Sequence, residues 1–562
     1  MRRLAIAAAI AVFPLRAGAQ ATDTVEMNQL PRDVAREAVA LFNATTTLRS
    51  TERLEIPVDS IVRGDVAVLD GPVIVAGRIT GRLLAINADV LLRKGARIDG
   101  DLLVVGGEIE GSEEATIGGE LRVYHPPLRY TRDGDRLVAQ EVAGHAVDQW
   151  WRRFELGAKP NSNRLELATA GPYNRVEGLP VKVGPVLYRG QGWGHLRLNA
   201  DAILRTGSSF TSATPDVGHL VRGEVRVGRR IGVTVGGQLF ELVEGVEQWQ
   251  LSDAEVGLAS FFFRRDYRDY YGRHGGQLFA ALHASDEADF TLSYSDERWR
   301  SRESRNPPTL FDGDRSWRPN PVLDAARFHI ADATLRIDTR NDVFNPWAGW
   351  YVLAQFERGA GTITEAGPTS PDVRETTTGP TRYQRGFLDV RRYNRLAPNA
   401  SLNLRGVLAG WMSGDPLPLE RRLSIDGPGT VPGFDFRSGG SPDVGTCDAG
   451  TILPGRPAQC ERIALAQLEY RNDLHLSFTN ERAGRFRADG SWVFFADAGR
   501  GWLVNAPGNP LNLERHDLPS LSSYRTDIGA GLDFDLLGLY VAKALSDPKE
   551  PMNVFVRVRH RF

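Results

Sequence analysis

The sequence predicts an all-β protein: a roughly sixteen-stranded antiparallel transmembrane β-barrel, preceded by a small β-helix (solenoid) domain and a short helix. Three observations predict it. Segments of alternating polarity recur from Leu165 to the C-terminus, short strands cornered by glycine repeat within residues 54–125, and the chain begins with an export signal. Together they describe an exported protein with two differently built β domains.

Charge and cysteine content exclude several classes of protein. The 562 residues include 68 lysines and arginines and 70 aspartates and glutamates. This balance argues against a nucleic-acid-binding protein, which would show a basic excess or stripe. Two cysteines are too few for a disulfide-stapled scaffold, an all-cysteine iron–sulfur cluster or a four-cysteine zinc site.

The N-terminus predicts a signal peptide over residues 1–19. Arg2 and Arg3 precede the apolar stretch 4–13, and residues 17–19 read Ala-Gly-Ala, the small-x-small pattern of a cleavage site. The stretch is shorter than the ~20 apolar residues that a membrane-spanning helix needs. We therefore expect export.

A helical segment follows within residues 20–53. Its apolar residues fall at the spacing of one helix face, namely Val34, Ala38, Leu41 and Phe42.

Residues 54–125 carry an internal repeat. The stretches that begin at Gly64, Gly81, Gly100 and Gly119 are separated by 17, 19 and 19 residues, and shorter apolar echoes lie between them. One short strand about every six residues is typical of a β-solenoid, whose turns stack to bury a shared core. The stretch resembles the bactofilin-type β-helix, and that resemblance implies an assembly or docking module.

Residues 126–164 are predicted to be a linker, and residues 165–562 to be an outer-membrane β-barrel. The barrel region repeats segments of alternating polarity such as 195–202 and 401–407. A soluble sandwich or a transmembrane barrel explains this pattern equally well. At about 25 residues for a strand and its loop, the region holds about sixteen strands, within the even-numbered range of bacterial barrels.

The last ten residues favour the barrel. One face of the predicted strand carries a valine stripe that ends in an aromatic residue, and the other carries three arginines. A chain that stops at an aromatic residue in this way resembles the C-terminal recognition signal of outer-membrane barrels. That signal comprises Val554, Val556, Val558 and Phe562. We therefore expect the barrel in the outer membrane and the N-terminal domain in the periplasm.

Three further motifs resemble the BamA/TamA-type superfamily of outer-membrane assembly and translocation barrels, also called the bacterial surface antigen family. The segment 337–342 with 345–351 resembles the family's strand–turn–strand. The segment 423–434 resembles its inward-folded sixth loop. The segments 494–499 and 528–534 resemble its paired late strands.

The resemblance implies a loop motif and an acidic residue inside the lumen. The loop motif comprises Gly427, Gly429, Val431, Pro432, Gly433 and Phe434, and the acid is Asp497, followed by Gly499. The family has an arginine where this chain has Pro432, so Asp497 lacks its usual partner. Arg421, Arg422 or Arg437 could replace that arginine, and nothing in the sequence chooses among them. We also expect Pro432→Arg to stabilise the barrel by pairing with Asp497.

The resemblance implies insertion or transport of protein or lipid at the outer membrane, without covalent chemistry. The β-helix stands where the family has POTRA modules, and no enzyme motif or cofactor site is evident in the sequence. The expected partners are outer-membrane lipid and barrel-protein or lipid clients, with periplasmic docking or self-association through the β-helix, and no nucleic acid. The alternative is a structural envelope anchor or a passive pore.

The segment 264–273 is rich in arginine and tyrosine. Two interpretations stay open for it. The arginines could bind lipid phosphates, or the segment could form an interfacial aromatic girdle or a loop contact.

Cys447 and Cys460 are the only cysteines of the chain. In an exported protein a local disulfide between them is favoured over two free thiols. On the chain-entropy model, closing so short a loop stabilises the fold by roughly 3 kcal/mol. Mass spectrometry of non-reduced peptides should recover the two cysteines in one linked pair, and two free thiols would contradict this.

Overall fold

The computed structural model describes most of the chain beyond residue 29. Apart from residues 340–346, the chain divides into a unit of residues 1–150 and a unit of residues 151–562. The described residues are 30, 32–51, 53–124, 128, 130–133, 136–139, 153–156, 163–191, 193–207, 216–228, 231–285, 287–311, 316–340, 346, 348–370, 373–397, 400–436, 447, 457–480, 484–534, 537–558, 561 and 562. The predicted signal peptide lies outside them.

Two α-helices are described, one in each unit. Helix α1 spans Arg32–Asn43 and buries the apolar face that its sequence predicts. Helix α2 spans Asp253–Phe263 and begins with a capping box between Ser252 and Glu255. Within the described residues, no helix is long and apolar enough to cross a membrane.

The predicted β-solenoid is present in the N-terminal unit. Three parallel sheets stack its turns, in the orders β1-β4-β7-β10-β13, β2-β5-β8-β11 and β3-β6-β9-β12. The strands are β1 (Leu48–Ser50), β2 (Leu54–Ile56), β3 (Ile61–Val62), β4 (Val66–Leu69), β5 (Val73–Val75), β6 (Arg78–Ile79), β7 (Leu83–Ile86), β8 (Val90–Leu92), β9 (Arg97–Ile98), β10 (Leu102–Val105), β11 (Ile109–Glu110), β12 (Thr116–Ile117) and β13 (Leu121–Tyr124). The sequence repeat sets their register, since Val66 pairs with Leu83, Leu83 with Leu102 and Leu102 with Leu121.

The long strands of the solenoid are buried on both faces. In β7, Leu83 and Ala85 point into the solenoid core. Leu84 and Ile86 point the other way, into a second cluster with helix α1. The helix therefore covers a face that would otherwise expose an aliphatic stripe.

Residues 128–139 differ from the predicted linker. Strands β14 (Tyr130–Asp133) and β15 (Arg136–Ala139) form an antiparallel hairpin. Leu128 and Leu137 are buried with helix α1, and Asn43 exchanges two hydrogen bonds with the backbone of Leu137, at 2.8 and 2.9 Å. The sequence does not predict this hairpin, because the two buried leucines of the region, Leu128 and Leu137, are too few to form a recognisable pattern.

Ion pairs between turns lie on the solenoid surface. Arg82 donates to Asp65 one turn earlier, and this hydrogen bond lowers the pKa of the Asp65 carboxyl. Arg78 and Arg97 do the same for Asp99, whose pKa is also lowered. Such exposed pairs contribute little to stability, so the register depends mainly on the buried aliphatic residues.

The second unit is one sheet of 18 strands arranged in chain order. The sixteen long antiparallel strands are β17 (Asn163–Thr169), β18 (Pro180–Gln191), β19 (Gly194–Arg205), β20 (Val217–Val227), β21 (Gly232–Gly245), β22 (Tyr270–His283), β23 (Ala288–Ser301), β24 (Ala325–Asp338), β25 (Gly349–Glu365), β26 (Gly379–Ala397), β27 (Ala400–Gly414), β28 (Arg462–Asn480), β29 (Gly484–Val504), β31 (Arg525–Phe534), β32 (Leu537–Ala544) and β33 (Asn553–Val558). The short strands β16 (Arg153–Leu156) and β30 (Asn512–Leu513) pair with β17 and β29.

Strand connections are mostly short at one end of this sheet and long at the other. Six connections at the first end have two to four residues and the seventh, 339–348, has ten, whereas all eight at the other end have eight residues or more. The long loops span 170–179, 206–216, 246–269, 302–324, 366–378, 415–461, 505–524 and 545–552. The segment predicted as the inward-folded loop lies in the sixth of these, residues 415–461, hereafter the sixth loop.

The sheet curls into a barrel. Arg557 of β33 hydrogen-bonds to Glu255 of helix α2, which lies between β21 and β22. Arg405 of β27 reaches the carbonyl of Trp249 in the same connection, at 3.3 Å. Side chains of β27 and β33 therefore contact the connection between β21 and β22, which is far from them in the sheet order, so the sheet surrounds one interior. This confirms the predicted all-β barrel.

Leu84→Ala should destabilise the N-terminal unit by about 2–5 kcal/mol, because Leu84 is fully buried between the solenoid and helix α1. Leu48→Ala is the matched control, because Leu48 is 51% exposed. Limited proteolysis of the full-length protein in urea should cut the Leu84→Ala variant first in this unit. If the Leu84→Ala and Leu48→Ala variants resisted proteolysis equally, the packing of Leu84 against helix α1 would not stabilise this unit.

Candidate functional site in the barrel lumen

Most of the residues described in the first half of the sixth loop, 417–434, are buried inside the barrel. Leu417, Leu419, Ser424, Asp426 and Val431 are each 0% exposed. A short 3-10 helix, Leu419–Arg421, begins the buried segment. The loop therefore occupies the lumen as a folded plug.

The entry of the loop is attached to the barrel wall by Arg421. Its guanidinium donates to Glu357 of β25 at 2.8 Å and to the hydroxyl of Tyr271 of β22 at 2.9 Å. It also lies 4.4 Å above the ring of Trp299 of β23. A buried arginine held by a carboxylate, a hydroxyl and an aromatic face fixes the loop to three strands.

Two glycines allow the backbone of the loop motif to touch its neighbours. Gly433 donates its N–H to the carboxylate of Asp527 on β31. A Cβ on Gly433 would lie 2.6 Å from the Cβ of Asp527 and 2.8 Å from the backbone nitrogen of Ala544. A Cβ on Gly429 would lie 2.6 Å from the carbonyl oxygen of Gln250. A larger residue at either position would displace the loop.

The rest of the motif turns around Gly427 and packs on β29. Gly427 has a φ of 78°, which suits glycine. Gly499 faces the loop, since a Cβ on it would lie 2.5 Å from Ile425 and 2.8 Å from Val431. Phe434 is buried beneath the Arg525 guanidinium, 4.4 Å from its ring centre.

Asp497 pairs with Arg561, the penultimate residue of the chain. Arg561 donates to the Asp497 carboxylate, both side chains are buried, and the guanidinium lies 3.7 Å above the ring of Phe495. Gln467 links the same carboxylate to the loop, since its amide donates to Asp497 at 3.3 Å and to the Thr430 carbonyl at 2.8 Å. The C-terminus thus supplies the cation that Asp497 was predicted to need.

The arginines that the sequence offered for this role lie elsewhere. Arg421 pairs with Glu357, and Arg422 donates to backbone carbonyls, including that of Leu417 at 3.0 Å. Arg437 lies outside the described residues. The carbonyl of Pro432 accepts a hydrogen bond from Asn553 at 3.1 Å.

Asp497 and Asp527 stand directly opposite each other on β29 and β31. Both are buried, and two carboxylates at this spacing repel unless cations or donors compensate them. Arg561 and the Gly433 N–H are those donors. The pair therefore ties the loop motif and the C-terminus to one point of the wall.

The C-terminal strand differs from its prediction in its last residues. Val554 and Val556 face outward, 58% and 53% exposed, and Val558 ends β33. The ring of Phe562 instead lies 6.5 Å from that of Tyr393, whose side chain is buried. The outward stripe does not continue to Phe562, because the strand ends at Val558 and Arg561 enters the lumen.

A disulfide joins Cys447 to Cys460, with Cα atoms 4.9 Å apart. Both residues are buried among the apolar side chains of the sixth loop. Cys460 also forms a β-bridge with Leu423, through two backbone hydrogen bonds of 3.0 Å. The end of the loop is thus bound to its beginning.

Similarity of this chain to known proteins is found among solved structures. No protein-family model matches the chain, and no curated protein matches it. The chain is similar to BamA from Haemophilus ducreyi lacking POTRA domains 1–3, with 12% identity, a TM-score of 0.40 and coverage of 71% of this chain and 70% of that one.

Two further similar structures are CdiB proteins. CdiB from Acinetobacter baumannii has 12% identity and a TM-score of 0.30, covering 75% of this chain and 60% of that one. CdiB from Escherichia coli has 11% identity and a TM-score of 0.31, with 77% and 67% covered.

Arg561→Ala should lower barrel stability by about 3–5 kcal/mol, because it leaves Asp497 buried without its cation. Asp497→Asn in the same chain should recover much of this loss. Pro432→Arg should stabilise the barrel only in the Arg561→Ala background, since Asp497 is already paired in the native chain. Urea unfolding of the full-length protein in detergent measures these values.

Arg392→Ala provides the control for this series, because Arg392 stacks on Trp350, a residue of the outer surface that is 45% exposed. Additive effects of Arg561→Ala and Asp497→Asn would show that the two residues do not interact.

Proposed function

We propose that the protein is an outer-membrane barrel that assists the insertion or transport of protein or lipid, without covalent chemistry. The observation that carries this proposal is the sixth loop, whose described residues 417–434 lie mostly buried in the lumen and are held there by polar contacts. Because these contacts are hydrogen bonds and ion pairs, they can exchange for others when the barrel changes state. A barrel that never changes state could hold the loop equally well through contacts between aliphatic side chains.

The outer surface of the barrel supports a membrane location. Leucine, valine and aromatic side chains project outward from most long strands and are exposed, for example Leu239, Leu278, Leu292, Phe494 and Val554. A soluble protein rarely exposes so extensive an apolar surface. In outer-membrane barrels short turns face the periplasm and long loops face outward. We propose that the N-terminal unit lies in the periplasm.

A second candidate is a structural envelope anchor whose solenoid docks or polymerises in the periplasm. The first turn of the solenoid favours it, since Leu48, Val58 and Ile61 are 51%, 68% and 60% exposed. The loop segment buried in the lumen argues against an open passive pore, the other form of this alternative.

Depletion of the protein tests the proposal. Several other outer-membrane barrel proteins, or surface lipid, should fall in abundance as the protein disappears. Altered cell shape or permeability alone would favour the anchor.

Two glycine variants test whether function requires the sixth loop to be seated in the lumen. Gly433→Val should fail to restore the depleted strain, because its side chain would collide with Asp527 and Ala544. Gly406→Val should restore it, because a Cβ on Gly406 meets nothing within 4 Å. Gel mobility without heating confirms that both barrels fold. Full rescue by folded Gly433→Val would show that the seated loop is not needed.

A further inference from the structure

The outer surface of strands β22 to β26 changes from apolar to cationic near the long-loop end. On β23 the outward residues run Phe290, Leu292 and Tyr294, and then Arg298 and Arg300 after one aspartate. The neighbouring strands change at a similar level. The exposed cationic or titratable residues of this surface are His274, Arg298, Arg300, Arg327, His329, Arg358 and Arg382, hereafter the outer arginine surface.

Strand register brings like charges together on this surface. Arg298 lies directly opposite Arg327 on one side and His274 on the other. Residues directly opposite in an antiparallel pair have Cβ atoms about 4.5–5.5 Å apart, and like charges there are destabilising. An anion between them would remove this repulsion.

The carboxylates of the surface leave part of its charge uncompensated. Asp296 pairs with Arg327 at 2.7 Å, and Glu241 pairs with Arg300. Within the described part of the chain, no carboxylate lies within ion-pair distance of Arg298, Arg358 or Arg382. The surface therefore carries a local excess of positive charge, whereas the whole chain has a net charge of −2.

An apolar groove lies directly beside these arginines. It has a volume of about 600 Å³ and is lined by Val235, Leu278, Leu292, Tyr294, Phe356 and Arg358, among others. Small residues of β22 and β24 form part of its lining, including Ala280, Ala331 and Ala333. The groove and the arginines are continuous, since Arg358 belongs to both.

The exposed cations of the strands near the long-loop end are concentrated on β22 to β26. Outward cations also lie near this end on other strands, namely Arg462 of β28, Arg500 of β29 and Lys543 of β32, but they are half-buried and donate to backbone carbonyls. On the next strand, β27, the exposed outward residue near the long-loop end is Met412, which is 48% exposed. On β33 the exposed residues Val554 and Val556 are apolar.

We propose that the outer arginine surface binds the phosphate groups of an anionic lipid in the membrane leaflet at the long-loop end. This inference rests on the membrane location proposed above. The acyl chains of the lipid lie along the groove and the apolar band, and its phosphates lie between the guanidinium groups. Guanidinium groups bind phosphate in a bidentate geometry, and they do so most strongly where water is scarce.

A lipid explains the surface better than a soluble anion does. Tyr294 in the groove and Arg298 are four residues apart on β23, so these two positions are about 13 Å apart along the strand. One molecule with acyl chains and a phosphorylated headgroup can contact both. A free phosphate ion would use the arginines and leave the groove empty.

The test uses full-length protein in phosphatidylcholine nanodiscs, with diphosphoryl lipid A as the probe. The variants are Arg298→Gln with Arg327→Gln, and Arg358→Gln with Arg382→Gln. Each pair should weaken binding about tenfold or more, because charge-assisted hydrogen bonds are lost. Arg392→Gln, on the same outer surface at the short-turn end, is the matched control and should bind as the native protein does.

Two further measurements identify the ligand chemistry. Lipid A without its phosphates should bind the native protein about tenfold more weakly or worse. Inorganic phosphate should compete poorly, because it lacks acyl chains. Equal binding of the dephosphorylated lipid, undiminished binding by both double variants, or an equal loss in Arg392→Gln would overturn the proposal. These measurements use purified protein, so they stand or fall independently of the depletion experiment.

Discussion

Pairing of buried charge in the lumen is the constraint on which the barrel structure depends. Inward positions of the strands carry many arginines and carboxylates, and an unpaired charge at such a position is costly. Arg405 and Asp389 are each 2% exposed and meet at 2.8 Å, and Arg471 meets Asp533 at 2.6 Å. The first pair joins adjacent strands, β26 and β27, and the second joins β28 to β31, on either side of β29, so these ion pairs hold neighbouring strands together on the lumen side.

The same constraint explains how the sixth loop is retained without the arginine of the family motif. Pro432 offers only its carbonyl, so the side chain that neutralises Asp497 comes from Arg561. This pairing of Arg561 with Asp497 affects assembly of the barrel. The loop motif and the last residues of the chain share the wall around Asp497 and Asp527, so neither is fully held until the C-terminal strand is in place.

The sequence predicts those features that repeat or alternate. The spacing of Gly64, Gly81, Gly100 and Gly119 predicts the solenoid, because equal spacing is what stacked strands need. Alternating polarity predicts the barrel strands for a similar reason, and the length of the region predicts their number. The partner of Asp497 could not be predicted in this way, since Arg561 is 64 residues distant and its approach depends on where β33 ends. A repeating or alternating pattern is visible in neighbouring residues of the sequence. The contact between Asp497 and Arg561 instead depends on how the whole sheet curls.

Arginine has opposite surroundings on the two sides of the barrel wall. Inside, Arg405, Arg421 and Arg561 each meet a carboxylate of the same chain. Outside, Arg298 and Arg358 meet none among the described residues, although they border an apolar band. An arginine on the lipid-facing side is tolerated near the interface, where its cost falls to about 0–1 kcal/mol. At that level water and lipid headgroups supply partners. In the proposed outer-membrane location, the outward arginines lie where lipid headgroups can pair with them, just as the inward arginines lie where the protein does.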